Sequence, residues 1–316
     1  MAGVGARDAY EGTDGWRRSL SGPLLARFWK HGSSDPNAMR YASAALAAGM
    51  PTAPEALLLL EQGRASARTE EERRNFEVAL VTAYSALKRF DDMEQIGRGL
   101  FKAFPESRFA FTMLSGVLSE RKQWRELVEV GEERLKRIPD DPLAIRVLAS
   151  AVGHQGRIDQ AVSFYRRLVS LGKAESGDFN NLAWDALFTG SKLDQAIEDG
   201  ERGMSLTAGS STILLRTLSV LYAEVGRTAD AREMLLKMME LEGLDDPDPK
   251  SWYVIGRIAE QLGLTEAAAS AYGKLDSHGD EEEHTSTYTL AQRRLKALGG
   301  LAKQLIARCG YSSWKT

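Results

Sequence analysis

The stretch "GRIDQAVSFYRRLV", Gly156–Val169, returns three more times in altered form: "GSKLDQAIEDGERGM" from Gly190, "GRTADAREMLLKMM" from Gly226 and "GLTEAAASAYGKL" from Gly263. Each copy opens on glycine, places a carboxylate in the polar residues that follow, and reaches an alanine five or six residues after the glycine. Each then continues with apolar residues at helical spacing. A glycine just past one periodic segment and just before another marks a turn between two helices, because glycine ends a helix in a left-handed conformation that a β-carbon opposes. The recurring motif is therefore expected to hold a shape rather than carry out a reaction.

The surrounding sequence agrees. Apolar residues recur every three or four positions in "FAFTMLSGVL" (Phe109–Leu118) and "STILLRTLSVLYAEV" (Ser211–Val225). Period-two alternation bounded by hairpin turns is not found. The chain reads as all-α, with short helices joined by brief glycine-, proline- or aspartate-containing links. The small or apolar residues that open successive second helices are Met93, Leu127, Ala161, Ala196, Ala231 and Ala268, at intervals of 34, 34, 35, 35 and 37 residues.

Self-similarity at this period resembles the tetratricopeptide repeat family, a helix–turn–helix unit of about 34 residues. The unit near Pro249 fits best, with Trp252, Ile255, Gly256, Gly263, Ala268 and Tyr272 at the family's signature positions. Leu215, Leu218, Ser219, Tyr222, Gly226 and Ala231 match in the unit before it, and Ile145, Leu148, Ala149, Gly156, Ala161 and Tyr165 in an earlier one. The resemblance implies a right-handed superhelical solenoid of stacked hairpins, since such a hairpin cannot bury its own apolar face and must stack. On this reading residues 1–34 are an N-terminal segment with one amphipathic helix, and 35–73 a degenerate hairpin. Residues 74–282 are an array of about six repeats, and 283–316 a capping helix and tail. The glycine-rich start, followed by what resembles a second helix alone, reads as a longer array cut short. The link "GSK" carries one extra residue, which predicts slight misregister of its hairpin.

Composition bounds the function. Hydrophobic residues make up 43% and charged residues 27%, which suits a folded, water-exposed protein. The net charge of −3, from 41 basic and 44 acidic residues, gives no global field to recruit nucleic acid or a membrane. No apolar run has the length of a membrane span and the N-terminus lacks a signal peptide's apolar core, so a cytoplasmic location is expected. Cys309 is the single cysteine, which leaves no intramolecular disulfide and no cysteine-based zinc cluster. Phosphate-binding loops, zinc-protease motifs and nucleophile elbows are absent. Among the four histidines, His278 and His284 flank "HGDEEEH", which reads as a solvated acidic link rather than a metal site. His31 stands in the N-terminal segment, and His154 at a helix end has no nucleophile spaced to join it. No catalytic residue, metal site or cofactor is expected.

What remains is a surface. In the family the stacked first helices line a concave groove, and carrying its groove positions across implies a peptide-binding lining of Arg146, Asn180, Trp184, Phe188, Arg216, Tyr253 and Arg257. Phe109, Thr112 and Glu120 fall on the same stripe of an earlier helix. The cationic and aromatic side chains suit a peptide or protein partner with acidic and apolar groups. Trp184 and Phe188 read equally as core, and the arginines as solvated. The expected function is a non-catalytic protein–protein interaction scaffold, with an accessory or regulatory arm of a larger enzyme or complex as the alternative.

Overall fold

The computed structural model describes residues 53–190, 192–275 and 285–309, and among them every regular element is helical. Thus "HGDEEEH", His31 and the first helix of the hairpin expected at 35–73 lie outside the described residues. The chain separates into two compact units, divided between Gln123 and Trp124. Unit 1 holds α1 (Ala53–Ser66), α2 (Glu70–Ala86), α3 (Phe90–Ala103) and α4 (Arg108–Glu120), each packed on the next. Its core is Leu60, Phe76, Leu80, Ile96, Leu100, Phe111, Leu114 and Leu118.

Unit 2 holds α5 (Trp124–Arg137), α6 (Pro142–His154), α7 (Ile158–Ser170), α8 (Ser176–Thr189), α9 (Leu193–Ser205), α10 (Thr212–Glu224) and α11 (Thr228–Glu242). A single 3₁₀ turn, Pro249–Ser251, leads into α12 (Trp252–Gln261), followed by α13 (Thr265–Tyr272) and α14 (Thr287–Cys309). Successive helices pack in order along the chain. In addition, α8 touches α10 and α10 touches α12, so the first helices of consecutive hairpins form one layer.

Local chemistry sets these boundaries. Thr69 and Glu72 form a reciprocal capping box at the start of α2, while Ser107, Asp141 and Ser211 accept backbone N–H bonds at the starts of α4, α6 and α10. The turn inside each hairpin follows one rule. Five residues before the landmark that opens the second helix, φ is positive at Gly156 (75°), Gly226 (80°) and Gly263 (76°). Lys88 (54°) and Lys122 (55°) adopt the same conformation without being glycine. The repeated motif is thus one case of a backbone geometry that also occurs where the glycine is missing.

Close helix approach is the second rule. Ala149, Ala161, Ser219, Ala231 and Ala268 are all fully buried. A β-carbon added at Gly256 on α12 would sit 2.5 Å from the Tyr272 ring on α13, closer than carbon atoms pack. Between hairpins, Gly131 on α5 receives Leu148 of α6, and Gly200 on α9 receives Leu218 of α10.

One buried group is not neutralised. Asp185 on α8 is 8% exposed, and no cation pairs with it among the described residues. Burial alone pushes its carboxyl up to about 7.

Two outcomes follow from this packing. Replacing Gly256 with alanine forces the Tyr272 ring aside and should cost about 1–3 kcal/mol. Hydrogen exchange should then show protection lost in α10–α13 and kept in α5–α7; uniform loss would contradict hairpin-by-hairpin stacking. Asp185 gives a pH signature. Its folded pKa lies above the unfolded value, so its favourable contribution is full below about pH 4 and lost as pH rises through about 7. Asp185→Asn should therefore be more stable than the parent at pH 8, by on the order of 2–4 kcal/mol, with the gap closing by pH 4 in denaturant titrations.

Candidate binding groove

The first-helix layer of unit 2 carries all seven residues expected to line the groove, and the structure gives each a partner within the chain. Arg146 on α6 donates through Nε to both oxygens of Asp178, at 3.0 and 2.9 Å, and through Nη2 to the Lys173 carbonyl at 2.7 Å. Its Nη2 also lies 2.9 Å from Glu175. Asp178 is buried and accepts the Glu175 N–H at 2.8 Å, so Arg146 fastens the first turn of α8. Arg216 on α10 pairs with Asp248 and with Glu242, the latter at 3.3 Å. Burial pushes the Asp248 carboxyl up, but hydrogen bonds from Arg216 and Ser251 outweigh it and hold the group below the usual range.

Tyr253 and Arg257 on α12 depart furthest from the expected lining. Tyr253 is 1% exposed, and its hydroxyl donates to Glu224 at 2.6 Å. Arg257 is buried, donating through Nε to Glu224 at 2.7 Å and lying 2.9 Å from Glu260 through Nη1. Neither side chain is presented to a ligand. The physical reason is that charged groups in a packed layer must be neutralised locally. The acceptors sit one repeat away, 32 residues along for Arg146 and Arg216 and 33 back for Arg257.

Asn180, Trp184 and Phe188 on α8 face a second element that the groove positions alone could not reveal. The Trp184 indole donates to the Thr285 carbonyl at 3.0 Å, across 101 residues of chain. The Arg293 guanidinium of α14 lies 5.5 Å from the centre of the Phe188 ring. Asn180 accepts the Thr217 hydroxyl at 2.8 Å. Arg294 donates to Glu260, with Nε 3.0 Å from Oε2. Burial raises the Glu260 carboxyl, but hydrogen bonds from Arg294 and Tyr272 and the Arg257 charge hold it below the usual range.

The layer is covered as a result. Val220, on the expected groove face of α10, has 0% exposure, and Thr217, Ala223 and Tyr253 are buried beside it. Leu290, Ala291 and Leu298 of α14 belong to the same core, with Tyr288 and Leu295 packed against it. A cleft of 190 Å³ remains at the edge, lined by Asn180, Trp184, Ile213, Arg216, Thr217, Lys250 and Thr285–Thr287. Ile213 is 65% exposed. His154 stacks on Trp124 at 4.1 Å between ring centres, and Cys309 falls in the last turn of α14.

Unit 1 has its own groove on the faces of α2 and α4. It encloses 780 Å³ and is lined by Val81, Phe90, Met93, Phe109, Met113 and Val117, with Lys88 and Glu120 also on its wall. Phe109 is 43% exposed, a large apolar ring offered to solvent. The groove stripe of α4 gave Phe109, Thr112 and Glu120 in advance. The α2 wall was missed because the repeat signature is too degenerate there to set a register.

A tetratricopeptide repeat model matches residues 249–277, the segment that folds into the 3₁₀ turn, α12 and α13. Solved structures with the same fold include a tetratricopeptide repeat protein from Parabacteroides merdae, at 13% identity and a TM-score of 0.53, covering 77% of this chain and 91% of that one. The C-terminal part of a repeat-containing protein from Cytophaga hutchinsonii gives 12% identity and a TM-score of 0.52, over 75% of this chain and 93% of that one. The pilF protein of Pseudomonas aeruginosa gives 16% and 0.50, over 71% and 98%. No curated protein matches the chain. At these identities the likeness is one of fold: residues 249–277 match the tetratricopeptide repeat, and the chain shares the fold of these repeat proteins.

Proposed function

We propose that the chain is a non-catalytic scaffold that binds a protein or peptide partner, and that unit 1 supplies an open docking groove. One observation carries this reading: Phe109, exposed on α4 at the wall of a 780 Å³ apolar groove. An apolar concavity of this size with a large ring at its rim supports recognition of an apolar side chain in a surrounding of excluded water. Lys88 and Glu120 on the groove wall make no ion pair among the described residues, which leaves them free to orient a bound segment. An acidic group of the partner would meet Lys88, giving specificity more than affinity. The expected role of Arg146, Arg216 and Arg257 in gripping an acidic partner is not part of this proposal, because their carboxylates are supplied by the chain.

Phe109→Asp tests the reading. Phe109 is partly exposed, so the substitution should change stability by no more than about 0.5–1 kcal/mol while removing the apolar anchor. A tagged parent chain expressed in its native host should co-purify a stoichiometric partner, identified by mass spectrometry. The purified partner should then bind the Phe109→Asp variant at least about tenfold more weakly. Leu236→Asp, on the exposed side of the second helix α11, is the control. Retained binding by the Phe109 variant together with loss in the Leu236 variant would place the binding face on the second helices instead.

A further inference from the structure

We propose that α14 is an intramolecular ligand of the unit 2 groove, and that the outside partner this groove takes is a basic amphipathic helix that replaces it. This rests on the scaffold reading but on different residues. Within the hairpin of α12 and α13, Tyr272 fills the space over Gly256 and its hydroxyl donates to Glu260 at 2.8 Å, and α14 packs against both helices as a cap. Beyond that cap, α14 and the residues before it reach over the first-helix layer at Trp184, Phe188 and Glu260, and Leu290, Ala291 and Leu298 belong to the same core as Val220, Ala223 and Tyr253. Its polar contacts run along the edges of that apolar ridge, from Arg293 to the Phe188 ring and from Arg294 to Glu260. The preceding carbonyl of Thr285 is fixed by Trp184.

The groove thus displays its own recognition chemistry. It takes an apolar helical ridge, offers a carboxylate and an aromatic face to flanking arginines, and receives a main-chain carbonyl at the indole. Without Arg294, Glu260 and Glu224 share the single Arg257 guanidinium, so an acidic helix would bring like charge to that pair of carboxylates, while Arg146 and Arg216 are already neutralised within the chain. The charge complementarity favours a basic helix. The covering helix is also weakened internally. Gly299 stands within α14, yet a β-carbon there would meet nothing within 4 Å, so no packing requirement explains a residue that lowers helix stability.

The test uses the full chain and a fluorescein-labelled peptide of its residues 286–298, STYTLAQRRLKAL. Because a resident ligand lowers apparent affinity by the fraction of time that it fills the site, the parent should bind this probe weakly. Arg294→Glu, and separately the milder Arg294→Gln, should loosen the resident helix and raise probe affinity by about tenfold, the worth of one charge-assisted contact. A probe carrying Glu in place of Arg294 should fail on every chain. In the parent, amides of 287–298 should exchange faster than those of 212–224.

Equal exchange protection, or a folded Gln variant that ignores the probe, would make α14 a fixed part of the core and overturn the proposal. A native mass of twice the chain would assign the groove to a second copy's helix and overturn the intramolecular assignment. The probe never engages Phe109, so this result and the partner-capture result succeed or fail separately.

Discussion

Backbone-close packing between helices is the constraint on which the rest of unit 2 depends. At Gly131, Gly200 and Gly256 an added β-carbon would lie 2.8, 2.7 and 2.5 Å from Leu148, Leu218 and Tyr272. Each glycine lets a large neighbour reach the helix surface, which gains dispersion contacts and leaves no room for the helix to roll about its axis. Once the roll of each helix is set, the residues that face the next hairpin are set with it. A hairpin so fixed presents an apolar face that only another hairpin, or a helix such as α14, can cover.

The ion pairs follow from that registration. Arg146 meets Asp178, Arg166 meets Asp199, Arg216 meets Asp248 and Arg257 meets Glu224, with sequence separations of 32, 33, 32 and 33 residues. These separations equal about one repeat, so each pair bridges equivalent places in consecutive hairpins. Burying a paired charge gains little net stability over a well-packed apolar residue, while leaving one partner unmatched is expensive. Such pairs therefore act mainly on register: a slip of one hairpin would strand several charges in the layer at once.

The legible part of this molecule was what repeats. The all-α class, the hairpin turns and the close-packing alanines could be read from period and residue size, and Gly156 announced a left-handed turn. Lys88 and Lys122 show the limit, since the same turn there left no glycine to read and only the spacing of Met93 and Leu127 marked it. The candidate groove was legible as a set of positions, not as a set of available side chains. Arg257 and Tyr253 occupy the implied stripe, yet Glu224 and Glu260 claim them, and no local pattern says that a carboxylate one repeat away will do so. Trp184 was ambiguous for the same reason. Its partner, the Thr285 carbonyl, is 101 residues distant and belongs to a segment outside the repeat period.

A groove that is filled by its own chain changes what binding there means. If the resident helix occupies the site in about 99 of 100 molecules, every outside ligand appears about a hundredfold weaker than its contacts alone would make it. The chain thereby filters partners by strength as well as by fit, because a helix with a poorer ridge or the wrong flanking charge never competes. It also keeps Val220 and Ala223 from solvent while no partner is present, which an open layer of this composition would not. Unit 1 stands under no such restraint, since its groove is open to solvent at Phe109. One chain therefore holds two apolar recesses of different readiness: one limited only by the affinity of its ligand, the other by the ligand's margin over a resident helix.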